Sequence, residues 1–236
     1  MSTAAKFILV HGAWHGSWCW ERVQHRLEQA GHSGLAADLS YVRAKNQTGD
    51  VDLSTHVSEL VEFVEGNAES DIVLCGHSYG GMVISEAACR LQDKIKHLVY
   101  LDALLPAPGQ SAVDMMSPDM RVAFYEMVTE RGGGHLIPPR SAAALGVHDP
   151  QDAAWVDAKC APFPLACFEE PAGLDGGLPN CPKTYLLARY NCPSVFEQTY
   201  KRLANQAGWT RAILPTGHDA MITAPDAVAE YLLALA

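Results

Sequence analysis

The sequence has no cluster of basic residues and no long apolar run. Its 17 Lys and Arg residues are outnumbered by 27 Asp and Glu residues, which gives a formal net charge of -10. Such a surface has little to offer to phosphates or anionic lipid, so we expect neither nucleic acid nor a membrane as a partner. The apolar segment at 7–10 is far too short for the apolar region of a signal peptide, and no stretch approaches the roughly 20 apolar residues of a spanning helix. We therefore expect a cytoplasmic protein.

The cysteines lack the patterns that would give them a structural role. There are seven, an odd number, and no Cys-x-x-Cys pair occurs. This argues against both a disulfide framework and a zinc site. We predict reduced thiols and no metal site.

Short apolar runs alternate with helical patterns along the 236 residues. Strands are predicted at 7–10, 34–39, 72–75, 97–101, 183–188 and 211–214. Helices are predicted at 17–30, 53–64, 79–91, after the capping box Ser194-x-x-Glu197, and from near Thr223-x-x-Asp226 to Leu235. This order predicts an α/β fold, with a mainly parallel sheet and helices on both faces. From about 105 to 182 the alternation stops in Pro-, Gly- and Met-rich sequence, which predicts a cap inserted into a single domain.

The sequence Gly-His-Ser-Tyr-Gly at 76–80 lies between a predicted strand and a predicted helix. In the Gly-x-Ser-x-Gly turn the chain reverses sharply and lifts the serine Oγ clear of the sheet, and the glycines allow the close packing. We predict that Ser78 is a nucleophile. The helix that follows directs backbone N–H groups at a developing oxyanion, so the main chain of Tyr79 is one predicted donor.

A second oxyanion donor is predicted in the loop after the first strand. There the sequence His-Gly-Ala-Trp at 11–14 carries the chain over the sheet edge with no side chain at Gly12. We assign this donor to the main chain of Ala13. For His11 we favour hydrogen bonds to loop backbone over proton transfer.

The predicted base is His218, which follows the last strand, where this type of site places its histidine. The acid is harder to assign, because the loop after the strand at 183–188 contains no carboxylate. We prefer Asp102, which ends the predicted strand at 97–101, because sites of open α/β sheets collect at this edge. Asn191, a carboxylate of the cap, or no acid at all remain alternatives.

The motifs at 11–20, 76–82 and 217–218 together resemble the small α/β-hydrolases that include plant methyl esterases, hydroxynitrile lyases and bacterial pyrethroid-hydrolase-like esterases. The resemblance implies an α/β-hydrolase fold and a cofactor-free site between sheet and cap, in which Ser78 attacks and His218 activates water. The family's usual aspartate corresponds to Asn191. Some relatives in the wider superfamily carry the acid after the preceding strand, where Asp102 stands.

We predict hydrolysis of a small, largely apolar carboxylic ester, with substrate contacts from Gly12, Trp14, Phe124 and Trp155. The aromatic and Met-rich cap favours such a small-molecule substrate. Alternatives are an amide or carbamate hydrolase, a hydroxynitrile lyase, and a hydrolase-fold binder with little turnover. The lyase is disfavoured because those enzymes carry Thr in place of Gly12 and Lys in place of Asp219. A homodimer is compatible with the sequence.

Overall fold

The computed structural model describes residues 4–40, 51–174, 176–191 and 194–236. The strands are β1 (Lys6–Val10), β2 (Ser33–Ala37), β3 (Ile72–His77), β4 (Ile95–Leu101), β5 (Leu136–Ile137), β6 (Phe163–Pro164), β7 (Lys183–Ala188) and β8 (Trp209–Leu214). The α-helices are α1 (Glu21–Gln29), α2 (Leu53–Asn67), α3 (Gly80–Arg90), α4 (Pro118–Gly132), α5 (Pro150–Lys159), α6 (Ala166–Glu169), α7 (Val195–Arg202), α8 (Ala220–Thr223) and α9 (Pro225–Leu233). Within these ranges, no helix is long and apolar enough to cross a bilayer. Cys192 lies outside them, and the other six cysteines are free thiols.

A six-stranded parallel sheet in the order β2-β1-β3-β4-β7-β8 forms the centre of the fold. Because every pair is parallel, the carboxyl ends of all six strands lie along the same edge. The register places Val10 opposite Gly76, His77 opposite Leu101, and Ala188 opposite Leu214. The α/β fold class predicted from the alternation of apolar runs is confirmed.

Both faces of the sheet are covered, which explains why its central strands are apolar without interruption. Successive side chains of β3 point to opposite faces, so Ile72 and Leu74 join one hydrophobic cluster while Val73 and Cys75 join the other. Helices α2, α3 and α7 pack on the first face. Helices α1, α5, α8 and α9 pack on the second.

The segment predicted as a cap, about 105–182, contains α4, α5, α6 and the antiparallel pair β5–β6. Its apolar side chains enter both hydrophobic clusters: Val128 and Phe163 pack in the first, and Val147 and Val156 in the second. The segment is thus anchored over both faces of the sheet. Its division from the rest of the domain stays a prediction.

The last helix begins near its predicted position, but the capping box predicted at Thr223-x-x-Asp226 is wrong. Thr223 ends α8, and α9 begins after Ala224 with no side-chain cap. The Thr223 hydroxyl is engaged elsewhere, with the Thr216 hydroxyl at 2.6 Å and the Asp219 carbonyl at 3.1 Å. Asp226 instead binds Arg26. At the earlier predicted box, the Ser194 hydroxyl does accept a hydrogen bond from the Glu197 backbone N–H.

Candidate active site

Ser78 lies at the turn between β3 and α3, at the carboxyl edge of the sheet. Its φ of +52° is in the left-handed region, which costs energy for a residue with a side chain. The Ser78 carbonyl accepts two backbone N–H groups, from Gly81 at 3.0 Å and Leu104 at 2.9 Å, and these bonds hold the turn. The flanking glycines are required for space: a Cβ on Gly76 would lie 2.6 Å from the Gly80 carbonyl oxygen.

His218 contacts the carboxylate of Asp102 directly. The distance from His218 Nδ1 to Asp102 Oδ2 is 2.6 Å, typical of a strong charge-assisted hydrogen bond. Asp102 immediately follows β4, is fully buried, and has a φ of +42°. Its second oxygen, Oδ1, accepts the Ala188 backbone N–H at 3.0 Å. Asp102 is therefore held between the ends of β4 and β7, with one oxygen turned to the imidazole.

Asn191 also reaches this carboxylate. Its Nδ2 donates to Asp102 Oδ2 at 2.7 Å and lies 3.3 Å from His218 Nδ1. An amide NH2 group and an imidazole N–H are both donors, so both bonds must end on the carboxylate. The hydrogen of neutral His218 then lies on Nδ1, which leaves Nε2 unprotonated and able to accept a proton. Asp102 and Asn191, the two alternatives for the partner of His218, thus lie together beside its Nδ1.

His77, between Gly76 and Ser78, connects the Ser78 turn to His218. Its Nε2 donates to the His218 carbonyl at 3.0 Å, and the two ring centroids are 4.5 Å apart. Burial lowers the pKa of His77 well below its usual value, so the ring is neutral. The hydrogen bond from the neutral His77 ring to the His218 backbone therefore holds the His218 loop beside the Ser78 turn.

The loop after β1 lies against Ser78. A Cβ built on Gly12 would be 2.8 Å from Ser78 Cβ, so a side chain at position 12 would collide with the turn. Ala13 is buried, and the Trp14 indole donates to the carbonyl of Ile137 at 3.2 Å. His11 behaves as predicted: it accepts the Leu39 N–H at 3.2 Å and donates to the Gly12 carbonyl at 2.9 Å.

Two of the aromatic residues predicted to contact substrate, Phe124 and Trp155, lie in different places. Phe124 stacks on Phe168, which in turn stacks on Tyr79, with ring centroids 5.9 and 5.6 Å apart. This row of rings leads from the cap segment to the residue after Ser78. Trp155 instead packs on Trp18, 5.0 Å between centroids, among the side chains of the opposite sheet face. These contacts account for Trp155 without a substrate.

The sequence does not identify Phe196, whose ring stacks on His218 with centroids 5.0 Å and planes 17° apart. Phe196 lies in the first turn of α7, and a helical apolar residue gives no signal that would separate it from core. The partnership of His15, in the motif at 11–20, with Asp219 likewise has no signal in the sequence, because the two residues are 204 positions apart. The two side chains form a buried pair at 3.0 Å.

One group of described side chains could hold a metal ion: the ligand atoms of His77, His218 and Asp219 lie within 4.8 Å of one another. Each already has a partner. His218 binds Asp102, Asp219 binds His15, and His77 donates to the His218 carbonyl. A metal would have to displace these hydrogen bonds, so the group fits an acid–base site better than a metal centre.

Comparisons with known proteins agree with this geometry. Residues 7–231 match the model of the alpha/beta hydrolase family. A carbendazim hydrolyzing esterase from Nocardioides sp. (strain SG-4G) is 36% identical over 242 residues, which cover 98% of this chain and 99% of that protein. Methylesterase 7 from Arabidopsis thaliana is 38% identical over 106 residues, 43% of this chain and 40% of the relative.

Among solved structures, an extracellular alpha/beta-hydrolase from a Paenibacillus species, described as sharing structural and functional homology with tobacco salicylic acid binding protein 2, superposes with a TM-score of 0.85. The sequences are 20% identical, and the match covers 98% of each chain. At this identity the likeness supports the fold.

Proposed function

The chain belongs to the alpha/beta hydrolase family, and from that premise we propose that it is a serine esterase that cleaves small, largely apolar carboxylic esters through an acyl-enzyme on Ser78. The observation that carries the proposal is the 2.6 Å contact between Asp102 and His218, in a loop that His77 ties to the Ser78 turn. Together these residues supply a nucleophile, a base and a carboxylate that orients the base. Relatives named as esterases support the ester-cleaving activity.

In the acylation step we assign the base to His218 Nε2. It takes the proton of Ser78 Oγ as that oxygen attacks the ester carbonyl carbon. The resulting imidazolium is stabilised by the buried carboxylate of Asp102, whose charge is directed by the bonds from Ala188 and Asn191. When the tetrahedral intermediate collapses, the C–O bond to the alcohol breaks and His218 returns its proton to the leaving oxygen.

Deacylation repeats the same steps with water. His218 takes a proton from water as its oxygen attacks the acyl carbon, and Ser78 leaves with that proton while the carboxylic acid is released. In both halves the negative oxygen is assigned to the main-chain N–H groups of Ala13 and Tyr79. Tyr79 directly follows Ser78 and precedes α3, and Gly12 lets the Ala13 loop approach the serine.

The preference for an apolar substrate rests on the ring row of Phe124, Phe168 and Tyr79. These side chains pack against the first hydrophobic cluster, and Phe124 and Phe168 are only partly buried. Phe196 adds a flat apolar surface beside His218. An acyl or alcohol group without charge is the best match to such surroundings.

The test combines labelling with turnover. We expect intact-protein mass spectrometry to show one fluorophosphonate adduct per chain, and p-nitrophenyl acetate and butyrate to be hydrolysed. Both signals should vanish in Ser78→Ala, while Ser17→Ala, on the short helix before α1, should retain both. Absence of adduct and turnover in the folded wild-type protein would favour the small-molecule binder. Cyanide release from mandelonitrile faster than ester hydrolysis would favour the lyase.

A carbamate is the second candidate substrate, because the relative that matches along its full length is named a carbendazim hydrolyzing esterase. Carbendazim is a methyl carbamate, and the same acyl-enzyme chemistry serves carbamates when the leaving group is adequate. We expect methanol release from carbendazim by wild-type protein but not by Ser78→Ala. Ester turnover without methanol release would confine the activity to carboxylic esters.

A further inference from the structure

A second buried histidine–carboxylate pair lies next to the proposed active site and takes no part in the chemistry above. His15 Nε2 is 3.0 Å from Asp219 Oδ2, and the two residues are 1% and 0% exposed. A buried pair of charges is expensive to desolvate, and replacing one by apolar residues is often neutral or stabilising. A contribution to folding stability therefore does not account for this pair, whereas its position between two loops of the site does.

The hydrogen bonds of His15 define its protonation state. Its Nδ1 contacts the Ala13 carbonyl at 2.8 Å, and its Nε2 contacts the Asp219 carboxylate. Both partners only accept, so both ring nitrogens must carry hydrogen, and His15 is an imidazolium. Burial lowers the pKa of His15, but attraction to Asp219 and the two hydrogen bonds outweigh it and leave the pKa raised. Trp18 covers the ring, with centroids 5.2 Å apart.

Both ends of the pair are attached to the proposed machinery. Ala13, whose carbonyl His15 holds, is the residue whose N–H we assign to the oxyanion. Asp219 directly follows His218, and its own N–H donates to the Leu145 carbonyl at 3.1 Å. The pair thus bridges the loop after β1 and the loop after β8, which are 204 residues apart in the chain.

We propose that the ion pair of His15 and Asp219 is a positioning device that holds the Ala13 peptide and the His218 loop at a fixed separation, so that oxyanion donor and base act on the same carbonyl group. This inference rests on the proposed serine-hydrolase function. Neither residue touches substrate. Each acts through its neighbour, and losing the bridge should reduce the rate of the chemical steps more than it weakens substrate binding.

The neutral histidines and thiols around the pair do not compete with the charges of His15 and Asp219. Burial lowers the pKa of His11 to about 4 and that of His77 well below its usual range, so both are neutral near pH 7. Burial also raises the pKa of the thiols of Cys19 and Cys160, which lie near Asp219. His218 faces Asp219 as well and becomes charged during the reaction.

The proposal predicts a pH effect. Because the pKa of His15 is raised, the ion pair persists to higher pH than an ordinary histidine would allow, and it is lost as pH rises through that pKa. Asp219→Asn keeps an oxygen for His15 Nε2 but removes the charge. The pKa of His15 should then fall, and the alkaline decline of kcat should move to lower pH.

The main test is His15→Gln, whose amide reaches the position of Nε2 but cannot hold the Ala13 carbonyl. We expect kcat for p-nitrophenyl acetate to fall about ten- to a hundredfold while KM stays within about twofold. His25→Gln, at an exposed position of α1, is the matched control and should change neither. Cooperative urea unfolding of each variant checks that it is folded.

Three outcomes decide the inference. If His15→Gln and Asp219→Asn are folded and keep kcat within about twofold, it is overturned. A rise in KM with unchanged kcat would also overturn it, because it would indicate substrate binding. If wild-type protein shows no labelling or turnover, the proposed function fails, while two ring N–H resonances on His15 in NMR spectra at neutral pH would still establish the charged bridge.

Discussion

Replacement of Asp102 by asparagine is the sharpest test of the proposed triad, because the structure dictates how the new amide must lie. Asp102 Oδ1 accepts the Ala188 N–H, so an asparagine would place its own oxygen there and its NH2 group at the position of Oδ2. That NH2 would face His218 Nδ1 and would donate to it. The hydrogen of neutral His218 would then move to Nε2, the nitrogen that must accept the serine proton.

The expected loss is large. A triad with the wrong histidine tautomer loses about 10⁴-fold in kcat, or roughly 5 kcal/mol of transition-state stabilisation. Asn191→Ala should cost much less, because it removes one donor to Asp102 and leaves the 2.6 Å contact with His218. Stopped-flow hydrolysis of p-nitrophenyl acetate measures both, with Asp119→Asn, an exposed residue of α4, as the control.

A double variant tests the geometry further. Asn191 Nδ2 is 3.3 Å from His218 Nδ1, so a carboxylate at position 191 can reach the ring. In Asp102→Asn/Asn191→Asp the acid and the amide exchange places, and we expect kcat to recover at least about tenfold over Asp102→Asn. The assignment of Asp102 as the triad acid is wrong if Asp102→Asn stays within about tenfold of wild type, or if Asn191→Ala alone abolishes turnover.

Three further predictions follow from individual contacts. Phe196→Leu should lower kcat severalfold with little change in stability, because the ring stacked on His218 is lost; steady-state kinetics on the folded variant measures it. Gly12→Ala should lower ester kcat/KM by about tenfold or more in the same assay, since its Cβ would meet Ser78 Cβ at 2.8 Å; full activity would contradict that approach. Burial lowers the pKa of His56 to about 3, so the unfolded chain binds its proton first, and stability is lost as pH falls below about 6.5. Urea titrations at pH 7 and 5 should show that His56→Phe has roughly 2 kcal/mol less pH dependence than wild type.

What the sequence could predict was set by local pattern and by the rule that parallel strands end at one edge. The strand at 183–188 was predicted at its observed bounds, because an apolar run between turns is a local signal. Asp102 directly follows β4, and the rule that parallel strands end at one edge predicts that it lies near the site. Which sheet face a cap helix covers depends on tertiary packing, so Trp155 could not be separated from Phe124. The stacking of Phe196 on His218 and the bond between Thr223 and Thr216 are likewise long-range or loop contacts without a sequence signature.

The relation between Asp102 and Asn191 explains how the proposed acid can follow β4 when the resemblance places it after β7. β4 and β7 are hydrogen-bonded neighbours, with Leu101 opposite Leu186, so residues that follow them come together beside the same imidazole. A carboxylate after either strand can therefore meet His218 Nδ1. Two carboxylates at 2.7 Å would share a proton and spread a single negative charge over both groups, so a donor is needed at the second position to keep that charge on Asp102. An amide at 191 meets that requirement, so the absence of a carboxylate at 191 agrees with the proposed role of Asp102 as the triad acid.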